Sequence, residues 1–223
     1  MASYEVLQAC NDEVKSSILK VAGILHLTYN NFFKEKHKEL KNLRKKSRQL
    51  AKEIIQIRED IPNTLRKFEE TDLESGHHYV QVVTYMKEMC NSLMHIVQPA
   101  FNHLDNNHAF DNEQTDKMKK FNDQLSEFFN FAINLLKNRN YESLDELVLK
   151  RDETMSMAND ILLNRIKILK KTNKGVKVSV TYMEMLVETK NLLLHVVQLV
   201  KADFNLLESY TSANGILEEE ILD

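Results

Sequence analysis

The sequence contains no tryptophan, only two prolines and only four glycines in 223 residues. So few turn-forming residues leave little material for hairpins or for tight loops that cradle phosphate. Cysteine is also scarce: Cys10 and Cys90 have no metal-ligand spacing and read as reduced thiols of a cytosolic protein. No run of 18 apolar residues occurs, so no membrane-spanning helix is expected. The opening Met1-Ala2-Ser3-Tyr4 is not followed by the charged-then-apolar pattern of a signal peptide. A large excess of either charge is missing too. A net charge of -3 excludes, by bulk charge, a strongly basic nucleic-acid binder, and it excludes an acidic disordered chain.

The residues present are helix formers, with Leu, Lys, Glu and Asn abundant. Apolar residues recur at helical spacing almost throughout. The pattern predicts six long helices, over about 3–32, 34–70, 77–105, 111–138, 142–172 and 176–211. Gly23 should weaken the first, Pro62 should kink or restart the second, and Pro99 should bend the third. Breaks are expected at residues 71–76, at Asp105-Asn106-Asn107-His108, at Asn138-Arg139-Asn140 and at Asn173-Lys174-Gly175. Short connections favour antiparallel neighbours. The expected fold is all-α, with two tandem three-helix units over 1–107 and 108–223. An acidic tail over about 212–223 should fray.

The most informative feature is an internal repeat. Glu88, Asn91, Leu93, His95, Val97 and Gln98 recur 100 residues later as Glu188, Asn191, Leu193, His195, Val197 and Gln198. Self-similarity at a fixed offset marks a duplicated supersecondary unit. On a helix, Glu88, Asn91, His95 and Gln98 share one arc of roughly 80° at about 100° per residue, and so do Glu188, Asn191, His195 and Gln198. Val82, Met86, Met89, Leu93, Ile96 and Val97 centre on the opposite face and should be core. The last helix is apolar nearly all round and should pack on two sides, bringing the two polar stripes together near a pseudo-two-fold axis. Three readings of the stripes stay open: a buried, hydrogen-bonded seam that fixes register, plain surface, or a ligand or metal site in which two Glu and two His converge.

Other histidines are less ordered by pattern. His103, Asp105 and His108 cluster where the third helix ends, either as capping and surface chemistry or as metal ligands. Glu74 and His77 have Glu-x-x-His spacing but straddle the expected break. No nucleophile elbow, Gly-rich phosphate loop or His-Glu-x-x-His is present, so neither an enzyme nor a bound cofactor is expected. Residues 34–52 concentrate cations, among them Lys41, Arg44, Lys45, Lys46 and Arg48. Such a run is either a solvated helix face or a contact with an anionic membrane surface or acidic partner. Apolar faces on long helices also allow a homo-oligomer.

Residues 77–108 and 180–204 carry a family resemblance. Tyr79-Val80-Gln81-Val82-Val83-Thr84-Tyr85-Met86-Lys87-Glu88, His95-Ile96-Val97, Phe101-Asn102-His103-Leu104-Asp105-Asn106-Asn107-His108 and Glu188-Thr189-Lys190-Asn191-Leu192-Leu193-Leu194-His195 resemble the PhoU-like soluble domain attached to some bacterial inorganic phosphate permeases. The resemblance implies a non-catalytic regulatory or accessory domain in phosphate transport. Its partner would be a phosphate permease, and its place the cytoplasm at the inner face of the cell membrane. PhoU-like proteins often hold metal clusters through Glu/Asp-x-x-x-Asp motifs. Here the matching places read Glu88-x-x-x-Ser92 and Glu188-x-x-x-Leu192, so the second carboxylate is missing twice and the cluster is not carried over.

Overall fold

A computed structural model describes residues 2–68, 73–103, 112–171 and 176–214. Seven α-helices lie among them: α1 (Ala2–Phe33), α2 (His37–Glu59), α3 (Ile61–Leu65), α4 (Leu73–Asn102), α5 (Asn112–Asn138), α6 (Leu144–Leu169) and α7 (Val176–Asn214). A short 3-10 turn, Tyr141–Ser143, leads into α6. No strand occurs among the described residues, so the protein is all-α.

Two expectations about the elements are corrected. Among the described residues there are seven helices rather than six, because the stretch expected over 34–70 ends at Glu59 and restarts at Ile61. Pro62 sits in the first turn of the new helix, where its missing N–H is no loss. The break expected over 71–76 is partly helix, since α4 begins at Leu73 and buries Ser75 and Gly76. The Gly76 position has a reason: a Cβ there would stand 3.3 Å from the Leu65 side chain, so glycine lets α3 sit close to α4. α1 runs unbroken through Gly23 and α4 through Pro99. The connections expected at 105–108 and 173–175, the boundary at 107/108 and the acidic tail lie outside the described residues, apart from the few positions before Gly215.

Two helix ends share a geometry that composition hides. After α1, Glu35 takes a left-handed conformation (φ 50°), Lys36 N–H donates to the Asn31 carbonyl and Glu35 N–H to the Phe32 carbonyl. This is a Schellman ending. α5 ends similarly, with Arg139 at φ 50° and Asn140 N–H donating to the Leu135 carbonyl. Glycine usually takes this position, and neither chain end has one.

α1, α2 and α4 pack on one another, and α6 packs on both α5 and α7. The most extensive junction joins α4 to α7, and a second joins α1 to α5. The core is one continuous cluster running through both sets of helices. The stripe of Val82, Met86, Met89, Leu93, Ile96 and Val97 is entirely buried, as its spacing predicts. α7 touches α4, α6, α1 and α5, which explains why it is apolar nearly all round. A buried Leu contributes about 1.5–3 kcal/mol through its transfer from water. Leu93 on α4 and Leu192, Leu193 and Leu199 on α7 are all at 0% exposure, so both helices of the principal junction carry fully buried leucines.

Candidate functional site

The two copies of the repeat sit on the two helices of that principal junction. Nδ1 of His95 lies 3.8 Å from Oε2 of Glu188. Seven residues earlier on α4, Glu88 is close enough to His195, seven residues later on α7, for each to act on the other's charge. The helices are therefore antiparallel, and the repeat pairs with itself in reversed order. Within each stripe the Asn bonds its own Glu: Asn91 Nδ2 donates to Glu88 Oε2 at 3.4 Å, and Asn191 Nδ2 to Glu188 Oε2 at 3.5 Å. Lys87 Nζ donates to Glu88 Oε1 at 3.0 Å.

The second junction obeys the same offset. His26 Nδ1 on α1 meets Ser126 Oγ on α5 at 3.2 Å, and these positions are 100 residues apart. Four residues on, Asn30 Oδ1 accepts from Asn122 Nδ2, four residues back, at 3.2 Å. Both junctions thus have the geometry of a local two-fold axis relating the chain to itself at the offset of the repeat. Leu25 with Leu125 and Asn30 with Asn130 share that offset in sequence, a weaker signal than the one on α4 and α7.

The stripes converge at the rim of the junction, not in its interior. His95, Asn191 and Gln198 are exposed, while Glu88, Asn91, Gln98, Glu188 and His195 are half-buried. The interior positions of both helices go to apolar residues instead: Leu93, Ile96 and Val97 on α4, and Leu192, Leu193, Val196 and Val197 on α7, are all at 0% exposure. Glu88 has its carboxyl held below the usual range, first by the Lys87 hydrogen bond. His195 is pushed below its ordinary value by partial burial, against the opposing pull of Glu88 and Glu188. Gln98 faces another way: its Oε1 accepts from Arg48 at 3.0 Å and its Nε2 donates to Asn102 at 2.7 Å. No partner of Gln198 joins it to the pairs among the described residues.

The stripe residues meet as two His–Glu pairs, and each pair offers two ligands. Among the described residues, no group of three or more His, Cys, Asp or Glu is arranged to hold a metal ion. Ser92 and Leu192, which stand where the PhoU-like motif has its second carboxylate, are both buried. Glu74 and His77 fall on the first turn of α4, but both are exposed. His103 follows α4, with its N–H on the Pro99 carbonyl and its ring 5.5 Å from that of Phe32. Asp105 and His108 lie outside the described residues.

Sequence reasoning missed a buried carboxylate. Asp203 on α7 is 4% exposed, and its Oδ2 accepts from Asn11 Nδ2 of α1 and from the Tyr141 hydroxyl, both at 2.7 Å. Burial pushes its carboxyl up from the ordinary value. The Tyr29 hydroxyl likewise bonds Thr189 Oγ1 at 2.7 Å between α1 and α7. A lone Asp on an apolar helix, with Asn11 192 positions away, gives no spacing to read. Cys10 and Cys90 are both buried, with burial lifting the Cys90 thiol to about 12 and Cys10 well above its usual value.

No protein-family model matches the chain, and no curated protein matches it either. No helix among the described residues is long and apolar enough to cross a membrane.

Proposed function

We propose that this chain is a non-catalytic regulatory or accessory module of phosphate transport that acts on a membrane permease through the packing of its two helical halves. The observation that carries the reading is the self-paired repeat. His95 pairs with Glu188, and Glu88 acts on His195, across the open rim of a junction whose two helices carry many fully buried apolar residues. A junction of this kind is a suitable two-state element. The apolar contact supplies affinity, and the rim offers a solvent-facing place where a partner or ligand can favour one packing over another. The PhoU-like resemblance of α4 and α7 supplies the biological setting, with a phosphate permease as partner and the inner face of the cell membrane as the site of action.

The test is phosphate uptake in the native host with and without this chain, together with affinity capture of the chain from solubilised membranes. The reading expects altered uptake and a co-purifying phosphate permease. Unchanged uptake with no permease captured would overturn it.

The alternative is a metal-binding protein or metal-dependent helical enzyme using the Glu/His stripes. Its discriminator is stoichiometric metal in the purified protein that disappears in His95→Ala with His195→Ala. The two-ligand geometry of each pair favours the regulatory reading.

A further inference from the structure

The structure divides the cation run of residues 34–52 into two sets. Two of its members, Arg44 and Lys46, lie off the outward face of α2. The Arg44 guanidinium stacks 3.8 Å over the Phe101 ring, and Lys46 lines a groove between α1 and α2 with Lys20, Gln49 and Glu53. The others point out. α2 buries Leu40, Leu43, Ser47, Leu50, Ala51 and Ile54. Nearly opposite that face, Lys38, Lys41, Lys45, Arg48 and Lys52 fall within an arc of about 80°, and all five are exposed. Lys38 and Lys52 are not conspicuous in the sequence run, and they complete the stripe.

The stripe extends about 21 Å along the helix at 1.5 Å per residue. It contains no carboxylate between its ends. Glu39 and Glu53 turn to the flanks, and Glu53 is taken by Lys20 at 3.0 Å. Among the described residues, none of the four lysines has a carboxylate within ion-pair distance. Arg48 is tied only to neutral Gln98. α2 carries eight Lys and Arg against three Glu, while the whole chain has 30 against 33, so the rest of the chain is net negative. The molecule is electrically polar, with one straight positive edge.

We propose that this edge is a docking surface for an anionic phospholipid bilayer. Five cations in one line on a convex helix can all reach a plane at once, whereas a groove would be needed to wrap a strand. Four of the five are lysines, compact point charges suited to a diffuse headgroup layer more than to bidentate readout. No aromatic side chain stands in the stripe for base stacking, which single-stranded nucleic acid would use. Ile55, 45% exposed at the far end, adds an apolar contact for the interfacial region. The proposal is independent of the phosphate-transport reading, and its test needs no permease.

The experiment is vesicle co-sedimentation with phosphatidylcholine alone and with phosphatidylcholine containing phosphatidylserine. The variant is Lys38→Gln/Lys41→Gln/Lys45→Gln/Lys52→Gln. The control is Lys119→Gln/Lys137→Gln/Lys167→Gln/Lys170→Gln, four exposed lysines elsewhere with the same change in net charge. The expected result is binding to the anionic vesicles only, falling steeply with salt. The stripe variant should lose on the order of a hundred-fold in partitioning while the control keeps most of it. Circular dichroism confirms folding, and Lys45→Gln/Lys52→Gln serves if the larger variant is unfolded. No binding at low salt, equal loss in the control, or preference for a short RNA or an acidic peptide over the vesicles would overturn the proposal.

Discussion

His95 on α4 sets its Nδ1 3.8 Å from Oε2 of Glu188 on α7, and the counterparts of these two residues at the 100-residue offset, His195 and Glu88, face each other in reverse. The relationship links a sequence repeat to an interface: the two helices that carry the repeat pack against each other. At the rim, the side chain of His95 is 68% exposed and that of Glu188 28%. Water screens such a pair, and its energy is small beside that of a fully buried leucine.

The first prediction follows from that contrast. A double-mutant cycle on His95→Gln and Glu188→Gln should give a coupling below about 1 kcal/mol. Leu93→Ala and Leu193→Ala should each cost about 2–5 kcal/mol, since both residues are fully buried. Chemical denaturation measures both. A coupling above that of a surface pair would mean that the rim holds the halves together.

His195 gives a pH dependence. Burial lowers its folded value below the ordinary 6.5, so the folded state favours the neutral ring. Its contribution is present above the unfolded value and is lost as pH falls through the folded one. Wild type should therefore lose more stability than His195→Gln between neutral and mildly acidic pH. Parallel pH profiles of the two proteins would contradict the assignment.

Asp203 has the opposite sign. Burial raises its folded value above 3.8, so the contribution is complete below the unfolded value and is lost as pH rises through the folded one. The stability difference between wild type and Asp203→Asn should shift in favour of the variant as pH rises from the acid range toward neutrality. Asp203→Ala should cost about 1–3 kcal/mol, because Asn11 and the Tyr141 hydroxyl lose their buried acceptor. Thermal melts across pH report both effects.

The end of α1 offers a stabilising change. Glu35 is exposed and holds φ 50°, which disfavours a side chain by about 1–2 kcal/mol. Glu35→Gly should raise stability by up to about 1 kcal/mol, less the entropy that glycine adds to the unfolded chain. A lower melting temperature would show that Glu35 makes a compensating contact.

Much of the fold is legible in the sequence, and the reasons are local. The apolar spacing from Val82 to Val97 and the recurrence of Glu88 to Gln98 at 188–198 mark the core face and its duplicate. Short connections favour antiparallel neighbours. The misread places lack a local signal. Leu73 to Gly76 look like a break, but the close approach of Leu65 makes Gly76 a packing residue on a helix. Glu35 and Arg139 end helices without the expected glycine. The depth of the polar stripe depends on how far Leu192 and its neighbours fill the junction, and one helix alone does not fix that. The Asn11–Asp203–Tyr141 cluster joins positions from three elements, and no spacing within any one of them announces it.

The most direct test of the central claim is phosphate uptake by the native host carrying Glu88→Ala/Glu188→Ala, compared with Glu142→Ala/Glu153→Ala at two exposed carboxylates outside the junction. The account predicts that the junction variant alters the response of uptake to phosphate supply while the control behaves as wild type. Equal behaviour of the two variants would contradict it.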